Sequence, residues 1–247
     1  MDKCNPICNP MVPRFKLMKN GDGVRIDSTF YKQIVGSLMY LTSTRPDVMF
    51  VVSLISRFMD CPTELNFQAK KMILRYLKGT IGFGVFYKKG GSEELIAYID
   101  SDYVGDIDER KNISGYVFML GSSAVSWSSK KQPVVTLSTT EAKFIAATSC
   151  AYQAIWIRRI LENLSYAQHD SPTVYCDNSS IIKLSKNPVM HGCYKHIDCY
   201  GRLVELGATD DADNDDIDNL MEGDTQSTSF RRQCALESIR AHNFEMT

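Results

Sequence analysis

Two aspartates, Asp100 in "AYIDSD" and Asp177 in "VYCDN", each close a run of strand-forming residues. Carboxylates at the ends of neighbouring strands are brought together, and paired carboxylates commonly hold magnesium. Two such ions about 3.5–4 Å apart activate a water and stabilise the leaving oxygen of a phosphodiester. Asp102 lies two residues beyond Asp100 and faces the same side if the strand continues. Strand-end aspartates also serve as turn and cap residues, and that reading stands beside the metal one. "DSDYVGD" places Gly105 at the sixth position of a calcium loop, but Val104 at the fifth and Lys111 at the twelfth break the match. There is no G-x-S-x-G, no P-loop and no G-x-G-x-x-G, so hydrolase and nucleotide-fold readings built on them have no residues. His191-x-Cys193-x-x-His196-x-x-Cys199 holds zinc ligand types at a spacing that matches no familiar finger.

The elements that position these aspartates read clearly. "LIAYIDSDY", "ISGYVFMLG" and "AVSWSSKK" are strand runs, preceded by "GFGVFYKKG", a further or merely connecting strand. A helix follows from Ser138 to about Leu164. Then "PTVYCDN" reads as a buried strand and "SSIIKLSKN" as a short helix closed by Asn187-Pro188. Strands followed by helix, strand and helix make an α/β layer. In the long helix, Ser138-x-x-Glu141 fits a capping box, with Glu141 reaching back to the Ser138 amide. Lys143 lies about 200° around the axis from Glu141. Its face carries Ala147, Cys150 and Ala151, small residues suited to lying against a sheet.

Ahead of this layer, "YKQIVGSLMYLTS", "DVMFVVSLISRFM" and "TELNFQAKKMILRYLKGT" are helical and separated by proline-marked turns at Pro46 and Pro62. They suggest a small helical subdomain. In the third, Phe67, Met72, Ile73, Tyr76 and Leu77 take the inner side, and Lys70, Lys71, Arg75 and Lys78 are expected outside. Residues 1–90 carry 14 Lys/Arg against 6 Asp/Glu, a net of +8 hidden within an overall charge of −1. Such a segment suits a phosphate backbone or a plain solvated surface. Residues 207–247 hold 3 Lys/Arg against 10 Asp/Glu and no sustained periodicity, which predicts a mostly disordered acidic tail. No apolar run is long enough for a membrane span. The first residues lack a secretory layout, so the expected setting is the cytoplasm or nucleus, with reduced cysteines.

The phrases "YKQIVGSLMYLTSTRPD", "LRYLKGT", "SGYVFMLG", "VSWSSKKQPVVTLSTTEA", "CDNSS", "LSKNPVMH" and "KHID" together resemble the C-terminal part of the Pol polyprotein of a copia-type LTR retrotransposon, of the kind abundant in plants. The resemblance runs from about Asp2 to Leu206. It implies that 1–90 is the end of a reverse transcriptase with thumb-like helices. It also implies that 91–206 is a ribonuclease H-like domain, a mixed sheet with flanking helices, and that 207–247 lies outside both. The family domain cleaves the RNA strand of an RNA–DNA hybrid with two magnesium ions held by Asp, Glu, Asp and Asp. The first aspartate maps to Asp100 and the third carboxylate to Asp177.

The family's glutamate is the second one in "STTEAE", and Lys143 stands there in this chain. No counterpart of the fourth aspartate, or of the last strand and helix that carry it, is found in 207–247. Cys193, Tyr194 and Gly201 also interrupt the family pattern near "KHID". The aspartate pair of the polymerase palm is likewise not found. Replacing a carboxylate by an ammonium changes the local charge by two units. One unit pair at ~4 Å and an effective dielectric of about 20 interacts by about 4 kcal/mol. Magnesium binding is therefore expected to weaken.

The resulting expectation is a Pol remnant whose ribonuclease H-like domain is incomplete and catalytically impaired. Asp100 and Asp177 are its remaining catalytic and metal positions, and Asp102 is an auxiliary one. The alternative is a non-catalytic nucleic-acid-binding module that uses Lys70, Lys71, Arg75 and Lys78, with an RNA–DNA hybrid or other nucleic acid as partner.

Overall fold

The computed structural model describes residues 4–11, 17–18, 24–87, 94–102, 108–166, 168, 170–185 and 221–222. They fall into a helical unit within Met1–Phe86 and Val104–Arg110 and an α/β unit within Tyr87–Tyr103 and Lys111–Ser238. Among the described residues, no helix is long and apolar enough to cross a membrane.

The helical unit contains α1 (Ser28–Leu41), α2 (Met49–Ser56) and α3 (Glu64–Gly79), with a 3-10 turn at Pro46–Val48 leading into α2. Asp27 caps α1, its Oδ1 accepting the Thr29 amide at 2.9 Å. At the start of α3, Asn66 Oδ1 accepts both the amide and the hydroxyl of Thr63, at 2.8 and 2.7 Å. Tyr31 and Val35 from α1, Val52 and Ile55 from α2, and Ile73 and Tyr76 from α3 form one apolar core. Tyr31 reconciles its hydroxyl with burial by donating to the Ile55 carbonyl at 3.0 Å.

The proline break of the sequence is also a polar lock. Arg45 is buried and donates to both carboxylate oxygens of Asp47, at 2.9 and 2.7 Å. It also donates to the Thr80 carbonyl and hydroxyl, at 2.9 and 2.7 Å. Tyr76 donates to Asp47 Oδ2 at 2.9 Å. Burial alone would raise the Asp47 carboxyl, but the hydrogen bonds from Arg45 and Tyr76 and the Arg45 charge hold it below the ordinary carboxylate range.

The α/β unit contains β1 (Leu95–Asp102), β2 (Ile113–Leu120), β3 (Ser123–Lys131), α4 (Thr139–Asn163), β4 (Thr173–Tyr175), α5 (Ser179–Ser185) and β5 (Met221–Glu222). The sheet is mixed, with order β3-β2-β1-β4-β5. β1, β2 and β3 form an antiparallel meander, whereas β4 runs parallel to β1 after the α4 crossover. Ala147, Cys150, Ala154 and Ile157 of α4 pack on Leu95, Ala97 and Ile99 of β1, Phe118 of β2 and Val174 of β4. The small residues on that helix face bring α4 close to the sheet, as their spacing required.

Two expectations differ from the structure. Residues 83–87 of the "GFGVFYKKG" run form no strand. The last strand, expected to be missing, has a two-residue counterpart: Met221–Glu222 pairs parallel with Val174 and Tyr175. The outer edge of β4 presents unpaired backbone groups, and a short segment satisfies them whatever its own strand propensity. The remainder of 207–247 lies outside the described residues, as do residues 186–206 and the His191–Cys199 cluster.

Candidate functional site

Asp100 and Asp177 lie at the same end of the sheet. β1 and β4 pair as Ile96↔Thr173, Ala97↔Val174 and Tyr98↔Tyr175. β4 ends at Tyr175, so Asp177 stands two residues past it, at the same end of the sheet as Asp100 in β1. Cys176, the residue before Asp177, is buried in the core of this unit. Burial pushes its thiol upward. The Asn178 amide and the Lys143 charge oppose that, while the charges of Asp177 and Asp100 add to it. One buried sulfur thus senses both aspartates and the lysine. Asp102 closes β1, and its side chain lies outside the described residues.

The first turn of α4 delivers the third group. Ser138 caps the helix, its hydroxyl accepting the Glu141 amide at 3.1 Å. Glu141 is 7% exposed and its Oε2 accepts the Leu137 amide at 2.7 Å. The capping function is as its spacing indicated, but the amide it reaches belongs to Leu137 and not to Ser138. Glu141 is consequently committed to the helix start. Lys143, on the other side of the helix, forms an ion pair between its Nζ and Asp177 Oδ1, with the two side chains 18% and 35% exposed.

A residue that the sequence did not single out fixes this turn. Gln132, just past β3, is buried and its Nε2 donates to the Ala142 carbonyl and to Ser114 Oγ, both at 2.7 Å. It ties the α4 backbone next to Lys143 onto β2. A glutamine between a strand and a helix carries no signal that distinguishes it from a loop residue.

The donor set does not fit a pair of magnesium ions. Such ions need converging carboxylate oxygens. Asp177 has an oxygen committed to an ammonium, Glu141 is turned into a cap, and Lys143 brings positive charge. Among the described residues, no group of three His, Cys, Asp or Glu side chains is arranged to hold a metal.

The four basic residues of α3 are placed unequally. Lys70, expected on the outside, is 1% exposed. Its Nζ lies over the rings of Phe67 (3.8 Å), Phe30 (4.8 Å) and Tyr31 (5.4 Å) and has no hydrogen-bond partner among the described residues. The 67-70-73 spacing puts Lys70 on the inner face, and the ring faces replace water around its charge. Burial, with the neighbouring Lys71 second, pushes its ammonium down to about 8. Lys71 sits over the Phe67 ring at 4.6 Å. Arg75 donates to the Asn5 carbonyl at 2.8 Å and Lys78 to the Cys4 carbonyl at 3.0 Å.

Comparison with curated proteins gives a consistent picture. The chain is 43% identical over 197 residues to the retrovirus-related Pol polyprotein from transposon RE1 of Arabidopsis thaliana, matching 80% of this chain and 13% of that protein. It is 41% identical to the corresponding polyprotein from transposon TNT 1-94 of Nicotiana tabacum, over 80% of this chain and 15% of the relative. With transposon RE2 of Arabidopsis thaliana the identity is 41%, over 78% of this chain and 13% of the relative. The chain therefore corresponds to less than a sixth of the length of each. No family model and no solved structure matches the chain.

Proposed function

The chain belongs to the retrotransposon Pol polyproteins, and from that premise we propose that its α/β unit is a copia-type ribonuclease H-like domain disabled as a nuclease. The mixed sheet, the α4 crossover and the placement of Asp100 and Asp177 at one end of the sheet support the fold reading. The helical unit is then the thumb-like end of a reverse transcriptase. The substrate class of the family domain would be the RNA strand of an RNA–DNA hybrid, and Asp100 and Asp177 are the positions where its magnesium would have been held before Lys143 took that place.

The observation that carries the proposal of impairment is the Lys143–Asp177 ion pair. It sets an ammonium where hydrolysis requires a carboxylate and a divalent ion. The test is Mg2+-dependent cleavage of a labelled hybrid by the full chain and by Asp100→Asn. Equal background in both is expected. Cleavage that depends on Asp100 would overturn the proposal of impairment.

The alternative reading, nucleic-acid binding by the basic first ninety residues, retains its net charge of +8 (14 Lys/Arg less 6 Asp/Glu). It loses Lys70 as a direct contact, because that ammonium is buried. Hybrid affinity that falls steeply with salt would support it, and the absence of affinity at low salt would remove it.

A further inference from the structure

Lys143 does more than spoil a metal site. We infer that its ammonium is a tethered counter-cation that takes the place of a divalent ion at the β1–β4 end of the sheet, so that the α/β unit is held together there without metal. The inference rests on the preceding reading only for what position 143 is in related proteins; the ion pair itself stands on this structure.

Three features carry it. The first is a charge problem at one end of the sheet. Asp100, in β1, and Asp177, two residues past the end of β4, lie at the same sheet end, beside a core that includes Cys176, Val174 and Ile181. Two ionised carboxylates at one end of a sheet repel, and a cation nearby offsets that repulsion. The second is that the chain supplies one covalently. Lys143 Nζ is paired with Asp177 Oδ1, and its side chain is only 18% exposed, so most of the stem is packed and not waving in solvent. The third is that its approach is fixed from behind. Gln132 binds the Ala142 carbonyl and Ser114, Glu141 holds the Leu137 amide, and Ala147 and Cys150 let the helix lie close on β1. A lysine on a freely fraying helix end would lose much of its pairing to side-chain entropy. Here the backbone on both sides of it is anchored.

An ammonium differs from a divalent ion in ways that matter. It brings one charge instead of two, donates hydrogen bonds in place of accepting lone pairs, and cannot dissociate from the chain. The unit should therefore be insensitive to chelators and to magnesium. Exchanging the ammonium for a carboxylate should transfer the neutralising role to the solvent cation.

Thermal unfolding of the full chain tests this, in MgCl2 and in NaCl at matched ionic strength, with EDTA as a further arm. The variants are Lys143→Met, Asp177→Asn, their double and Lys143→Glu. For the unsubstituted chain, Tm in MgCl2 should equal Tm in NaCl and be unchanged by EDTA. Lys143→Met and Asp177→Asn should each lower Tm by about 2–4 °C, and the double should fall no further than the worse single. Lys143→Glu should fall more and recover several degrees in MgCl2 but not in NaCl. A magnesium-specific rise in Tm for the unsubstituted chain, or additive losses in the double, would overturn the inference. Should Lys143→Glu fail to fold in either salt, the Met–Asn cycle decides the matter alone. Hybrid cleavage is not read out here, so failure of this inference and failure of the nuclease reading are separable.

Discussion

Replacing Lys70 with methionine removes a buried charge from the helical unit and should stabilise it. The ammonium is 1% exposed and has no hydrogen-bond partner among the described residues. Burial, and next the charge of Lys71, lower it from an ordinary 10.5 to about 8. At about 1.36 kcal/mol per unit, the folded state disfavours the charged form by about 3 kcal/mol. The ring faces of Phe67, Phe30 and Tyr31 return about 1–2 kcal/mol of that through cation–π attraction. The net gain from Lys70→Met is then about 1–2 kcal/mol at neutral pH, with the thioether keeping contact with the same rings.

The pH dependence follows from the sign of the shift. The folded value lies below the unfolded one, so the penalty is complete below about pH 8. It disappears as pH rises toward 10.5, where the unfolded chain also loses its proton. Urea unfolding of both proteins across this range isolates the term, because the other titrating groups are common to both. The reasoning is refuted if Lys70→Met is less stable than the parent at neutral pH. It is equally refuted if the difference between the two is unchanged from pH 7 to about pH 10.

Arg45→Ala should cost about 3–5 kcal/mol, because it leaves the buried Asp47 carboxylate without its bidentate partner. Urea unfolding at neutral pH reads that loss. Asp47 sits below its ordinary range, so its contribution is present above that range and is lost as pH falls through the lower folded value. Acid titration of stability should accordingly be flatter in Arg45→Ala than in the parent. Glu141→Ala frees the Leu137 amide and should cost about 1 kcal/mol. Hydrogen exchange at Leu137 should accelerate while that at Ala154, deep in α4, stays protected; unchanged exchange at Leu137 would contradict the capping role.

What the sequence disclosed and what it withheld divide along physical lines. β1, β2, β3 and α4 were legible because alternation and capping are local patterns, and each lies where its run of residues indicated; β4 is also there, but it stops at Tyr175, two residues short of Asp177. The direction of Lys143 was legible from helix geometry alone, since 141 and 143 cannot share a face. That it finds Asp177 required knowing which strand lies beside β1, which the family resemblance supplied and local residues did not. Lys70 lies inside although its residue type points outward, because its spacing governs which face it takes. The 67-70-73 repeat points inward, and three aromatic rings tolerate a cation that an aliphatic core would expel. The Arg45–Asp47–Tyr76–Thr80 lock was hidden because it joins residues distant along the chain. β5 was hidden because the open edge of β4, and not the acidic segment's own propensity, determines its pairing.

The most direct test is calorimetric titration of Mg2+ into the full chain and into Asp177→Asn at low ionic strength. With Lys143 already paired to Asp177, no saturable heat should be found at millimolar magnesium in either protein. Saturable binding to the parent that Asp177→Asn abolishes would show that the strand-end carboxylates still serve a metal and that Lys143 does not replace it.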